Sequence, residues 1–248
     1  MMIASFDVLN IAAVAAVALI LGYTAFWAAR VRGALAVPAY RKQAMGIVLI
    51  ASVLDLTLIG LTVSAYVVYG NAQGAIGNGA FGLFFVLLLT IFYWVDSSVM
   101  AARRSDPLSR DTLHWSKLRI LLWIAIIPAS AIVIPVDILT AGVASTGSPP
   151  SWTAPFLILG IFGPPVSGAV MLPLAARRAG DPAFRLHLRW FGLFALGFLA
   201  GNFLMNLQPD PVVALFSGYV ASLAEAYCLY RSVLSLTPLE SPRVAVAS

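Results

Sequence analysis

The chain has 248 residues, of which 61% are hydrophobic and 10% charged, with a formal net charge of +5. A mean hydropathy of +0.94 leaves too little polar surface to cover a water-soluble globule of this size, so the composition excludes an ordinary soluble domain and requires lipid around much of the exterior. The positive charge does not point to nucleic acid, because the cations sit in a few short segments between apolar stretches, where membrane topology and anionic lipid account for them.

Seven apolar stretches predict seven membrane helices, over roughly 8–30, 44–69, 76–104, 115–143, 152–178, 184–206 and 211–235, each long enough to cross ~30 Å of hydrocarbon. The expected fold class is an all-α integral membrane protein, a seven-transmembrane-helix bundle forming one domain over 1–248, with 236–248 as a short cytoplasmic tail. Met1 to Asp7 carry an acid and no Lys or Arg, which argues against a cleaved signal peptide and for a retained first helix. Arg30, Arg32, Arg41 and Lys42 follow the first stretch; Arg103, Arg104, Arg110, Lys117 and Arg119 lie around the gap after the third; Arg177, Arg178, Arg185 and Arg189 flank the gap after the fifth; Arg231 and Arg243 lie at the end of the seventh and beyond. The alternate gaps hold no cation. By the positive-inside rule the N-terminus is outside and the C-terminus cytoplasmic, in the plasma membrane.

Breaks between stretches have their own chemistry. Gly70 to Gly79 is Gly-rich, Ser145 to Pro150 is rich in Ser, Gly and Pro, and Gln208-Pro209-Asp210-Pro211 cannot continue a helix. Ala-Ala-Arg recurs at 28–30, 101–103 and 175–177, and Asp106-Pro107 and Asp181-Pro182 follow the last two. Asp as N-cap with Pro in the first turn restarts a helix. Cations that cap inner helix ends produce this recurrence without an internal repeat, since the apolar halves do not match.

Ionisable groups at membrane depth are expensive and therefore functional candidates. Four are expected there: Asp55 near the middle of the second helix, Asp96 in the third, Asp137 in the fourth and Glu225 in the seventh. Asp55 shares a helical face with Ser52, Thr62 and Tyr66, and Glu225 shares one with Ser222 and Gly218. If Asp55 and Glu225 face each other they form a proton-handling pair, because two like charges in low dielectric do not both stay ionised. The alternative is a neutral acid serving as hydrogen-bonding glue between helices. Asp96 is expected to join a cytoplasmic ion-pair network with Arg103, Arg119, Arg189 and Arg231, reached by extended side-chain stems. Pro128 and Pro135 in the fourth helix, with Gly163-Pro164-Pro165 and Pro173 in the fifth, predict kinks. With Asp137, Asn202 and Asn206 they could frame an outward polar cavity for a ligand. Gly197 and Gly201 form a GxxxG stretch for close helix packing, within the bundle or between two copies.

In topology and size the chain resembles the seven-helix retinal proteins. That family's Schiff base requires a lysine in the seventh helix, and the lysines here, Lys42 and Lys117, stand at the edges of other helices. Retinal is therefore not expected. Haem is not expected either, since His114 and His187 at two inner helix starts are only weak metal candidates and Cys228 stands alone. No cofactor is expected. The stretch Phe184 to Trp190 resembles the basic start of a late helix in the seven-helix sensory segments of bacterial receptors.

With no catalytic signature such as G-x-S-x-G or H-E-x-x-H, the leading expectation is a receptor-like or accessory binding module, with anionic lipid and a protein partner at its basic inner loops. A proton-coupled transporter or channel using Asp55 and Glu225 comes second, and a membrane enzyme acting on a lipid or quinone third.

Overall fold

The computed structural model describes residues 2–33, 39–69, 74–103, 162–207 and 211–237, and the elements among them are all helices. They are α1 (Met2–Arg32), α2 (Ala39–Tyr69), α3 (Gly74–Arg103), α4 (Gly163–Arg178), α5 (Pro182–Leu207) and α6 (Pro211–Leu236). α1 to α3 match the first three apolar stretches, α4 the later part of the fifth, and α5 and α6 the sixth and seventh. The expected fourth helix, with Asp137, His114 and Arg119, lies outside the described residues. Among the described residues three helices contain segments long and apolar enough to cross a membrane, Ile11–Arg32, Tyr40–Leu61 and Pro182–Gly201, and Leu83–Ser98 is a shorter apolar stretch. The described part of the chain is thus all-helical, with apolar helices of the kind a membrane protein has.

Local sequence explains the helix ends. α2 starts just after Pro38, and α6 starts on Pro211. Asp181 caps α5 as its Asp-Pro pair predicts: its Oδ1 accepts the Ala183 N–H at 2.9 Å, and its carbonyl accepts from the Arg185 N–H at 2.8 Å. α4 carries proline in its first turn, where a missing N–H costs nothing, and stops at Ala179 in extended conformation. The Arg185 guanidinium then donates to the free Ala179 carbonyl at 2.9 and 3.2 Å. α1 and α2 run beyond the expected limits of their apolar stretches, because a span sets only the part in hydrocarbon.

Each helix packs on the next, α1 on α2, α2 on α3, α3 on α4, α4 on α5 and α5 on α6; α6 returns to α1 and also touches α2. This closes a ring. Its interior is filled by large side chains such as Leu21, Met45, Trp94, Phe191, Phe194 and Leu229, all buried, while Leu19, Phe26 and Val170 are exposed on the outside. Apolar side chains on both faces are what a lipid-embedded bundle requires.

Short connections make neighbouring helices antiparallel. Trp27 near the end of α1 donates to Thr237 just past α6 at 3.2 Å, and Arg41 at the start of α2 pairs with Asp181 at the start of α5. These contacts bring the ends of α1, α4 and α6 and the starts of α2 and α5 to one end of the bundle. α3 joins them, since Trp94 near its end contacts His187 in the second turn of α5. Hence α3 and α4 both run toward the same end. The described cations Arg30, Arg32, Arg41, Lys42, Arg177, Arg178, Arg185, Arg189 and Arg231 all cluster there. It is the basic end.

Two interlocks set the α4–α5 seam. A Cβ on Gly168 would stand 2.7 Å from the Ala195 Cβ, and a Cβ on Gly192 would stand 3.0 Å from Pro173 Cδ. A larger residue at Gly168 would force a shift between the helices, and one at Gly192 would press on the Pro173 ring.

Candidate functional site

α2 and α6 place the two central acids. Asp55 lies 16 residues along α2 and Glu225 lies 14 residues along α6, with both only 7% exposed. Helical spacing puts Ser52 one turn from Asp55 on the same face; it is fully buried, and its Oγ has no hydrogen-bond partner. The Glu225 side chain lies across the glycines of α5. A Cβ on Gly197 would stand 3.1 Å from Glu225 Cγ, and one on Gly201 would stand 3.1 Å from Glu225 Oε1 and 2.7 Å from the Ala221 Cβ. The glycines therefore make the notch that admits the carboxyl. Asp55 and Glu225 are near enough to interact electrostatically. Among the described residues neither acid has a cationic partner in a salt bridge.

The GxxxG stretch is thus used within the chain. α6 packs on the face of Gly197 and Gly201, which is the first of the two uses expected of the stretch.

A second polar cluster lies nearer the basic end. His187 is fully buried between α3, α5 and α6, with Phe184 and Phe191 beside its ring. Trp94 Nε1 lies 3.1 Å from His187 Nε2, and Ser232 Oγ lies 2.6 Å from His187 Nδ1. An indole nitrogen can only donate, so Nε2 accepts, the neutral ring carries its hydrogen on Nδ1, and Nδ1–H donates to Ser232 Oγ. This tautomer has two chemical consequences. It leaves no ring lone pair for a metal, and it cannot take the Ser232 proton as a general base, so the Ser-His contact is not an activated nucleophile. His187 is a core residue rather than the boundary residue its position suggested.

At the basic end, Asp181 accepts from Arg41 Nε and Nη2 at 2.9 Å each and from the Tyr40 hydroxyl. Burial pushes the Asp181 carboxyl up, but the hydrogen bonds from Tyr40, Arg41 and the Ala183 amide outweigh it and hold it below the usual carboxylate range. Arg41, expected only as a topological charge, ties α2 to α5. Of the expected ion-pair network, Asp96 is half-buried on α3, Arg189 is exposed, and the Arg231 guanidinium lies over the Trp190 ring at 5.2 Å and the Tyr227 ring at 6.0 Å. The Arg103 side chain and Arg119 lie outside the described residues. Asn202 and Asn206 are on α5, but their side chains, like those of Thr62 and Tyr66, fall outside the description. No group of three or more His, Cys, Asp or Glu residues suited to a metal occurs among the described residues.

Sequence reasoning named Asp55, Glu225 and His187 but missed Trp94, Ser232 and Tyr40. Ser232 was findable, since it follows Glu225 by seven residues and so shares its face. Trp94 and Tyr40 required the packing of distant helices. Comparison with protein families, with curated proteins and with solved structures gives no match to this chain.

Proposed function

We propose that the chain is a proton-coupled transporter or channel of the plasma membrane, with Asp55 and Glu225 as its proton-handling pair. One observation carries this reading: two buried carboxyls from α2 and α6 come within electrostatic range of each other, with no salt-bridge cation among the described residues. Such a pair is costly at membrane depth unless it holds a proton or exchanges one. The glycine notch fixes Glu225 toward the interior, where it can meet Asp55 instead of lipid.

The same proposal includes seven helices with the N-terminus outside. Two features support it. α3 and α4 both run toward the basic end, so the connecting chain over 104–162 has to return to the far end, and it contains the apolar stretch 115–143 that would make that crossing. The clustering of cations at one end supports a cytoplasmic position for that end, by the positive-inside rule.

Proton flux into liposomes, read with an internal pH dye, tests the function. Wild-type flux that is lost in Asp55→Asn/Glu225→Gln supports it; flux that survives both changes removes it. A receptor-like or accessory binding module is the second reading, supported by the exposed Arg177 and Arg178 at the basic end, which offer a docking surface to an acidic partner. A stoichiometric partner held in mild detergent and released by Arg177→Gln/Arg178→Gln would favour it.

A further inference from the structure

We propose that His187 is a second proton site, which shuttles protons between the Asp55–Glu225 pair and the basic end, with the Trp94 indole as its gate. This rests on the proton-handling reading of the acid pair. Glu225 and Ser232 share one face of α6, seven residues apart, so His187 lies about 10 Å nearer the basic end than the acids, at ~1.5 Å per residue. Leu229, Phe191 and Phe194, all fully buried, lie along α5 and α6 between the two levels. An apolar layer of this kind keeps the levels from being joined by water continuously, which a coupled carrier requires to avoid a leak.

Buried hydroxyls without a protein partner mark both sides of the layer. Ser52 lies one turn from Asp55 toward the basic end, and Ser98 lies one turn from Trp94 in the same direction. Such groups are the usual anchors of internal water. His187 stands between them with one nitrogen fixed and the other guarded.

The step balances on a single nitrogen. While Trp94 donates to Nε2, its lone pair is occupied and the ring cannot accept a proton. When the indole moves off, water anchored at Ser52 enters the layer, takes a proton released by the acid pair and relays one to Nε2, which becomes imidazolium; the layer dries, the proton leaves Nε2 for water on the basic side, and Trp94 returns. Nδ1–H stays bonded to Ser232 Oγ throughout, which makes Ser232 a positioning residue.

The test compares proton flux in liposomes for wild type, Asp55→Asn/Glu225→Gln, His187→Gln and Trp94→Phe. Glutamine offers Trp94 an acceptor and carries a donor beside it, so His187→Gln removes the titratable ring while keeping a polar amide in its place. Its flux is expected to fall about tenfold or more, whereas Trp94→Phe, which frees Nε2, is expected to raise flux severalfold. A gain of flux is an effect that lost packing at His187 itself does not explain when His187→Gln shows a loss. Wild-type flux in His187→Gln, or flux in Trp94→Phe at or below wild type, overturns the shuttle and leaves the acid pair standing if Asp55→Asn/Glu225→Gln is silent. Absence of wild-type flux, or flux indifferent to the acid substitutions, overturns both.

Discussion

Glu225 and Gly201 occupy one another's space: a Cβ on the glycine would stand 3.1 Å from Glu225 Oε1. The same added methyl would meet the Ala221 Cβ at 2.7 Å, and neither α6 backbone nor a short alanine can yield cheaply. Gly201→Ala is therefore expected to destabilise the bundle by about 1 to 3 kcal/mol and to displace the Glu225 carboxyl. Thermal unfolding in detergent measures the first effect and proton flux the second. Gly22→Ala is the control, since a Cβ there meets nothing within 4 Å. Equal melting temperatures for the two variants would show that the α5–α6 notch is not tight.

The Asp181 clamp gives a pH prediction. Its carboxyl is held below the ordinary value of 3.8 in the folded protein, because the Tyr40, Arg41 and Ala183 hydrogen bonds outweigh the effect of burial. A depressed folded value means that the clamp's contribution is fully present above pH 3.8 and is lost as the pH falls through the lower folded value. Asp181→Asn should cost about 1.5 to 3 kcal/mol near neutrality, the usual range for hydrogen bonds to a charged group. The gap between wild type and variant should close as the medium becomes strongly acidic. A gap independent of pH would assign the loss to capping geometry and not to charge.

Much of the bundle was legible because its signals are local. Asp181-Pro182 predicted a capped start for α5, and the cation clusters predicted which helix ends gather together; both depend on neighbours along the chain. The proximity of Asp55 and Glu225 was reachable from helical spacing and cost arguments. The Arg41–Asp181 pair was not, because Arg41 read equally well as a topological charge and its partner lies 140 residues away. The burial of His187 was not legible either, since its place at a helix start gives no information about Trp94 and Ser232 on two other helices. Gly197 and Gly201 left two uses open for a related reason: GxxxG reports a close neighbour without saying whether it belongs to the same chain.

Orientation can be checked directly. In a Cys228→Ser background, Gly147→Cys should react with a membrane-impermeant maleimide applied outside intact cells, and Arg110→Cys should react only after permeabilisation. The proposed topology places the first outside and the second in the cytoplasm. A reversed pattern would invert the bundle, and labelling of both from outside would remove the crossing over 115–143.

The α4–α5 seam should behave as a coupled pair. Gly168→Ala places a methyl 2.7 Å from the Ala195 Cβ and is expected to cost about 1 to 3 kcal/mol. Adding Ala195→Gly should recover part of that loss, with a coupling energy of about 0.5 kcal/mol or more between contacting sites. Strictly additive effects in a melting experiment would mean that the helices separate at this point instead of clashing.

Those interlocks also constrain how the molecule can move. Gly168 seats Ala195 while Gly192 seats Pro173, so each helix supplies one socket to the other. Sliding along the seam would have to lift both from their seats together. The two interlocks therefore resist sliding of α4 on α5, whereas the Arg41–Asp181 and Trp27–Thr237 bonds join helix ends at the basic end through single polar contacts. These two latches, rather than the glycine-packed seams, would set how often the interior communicates with that side of the membrane.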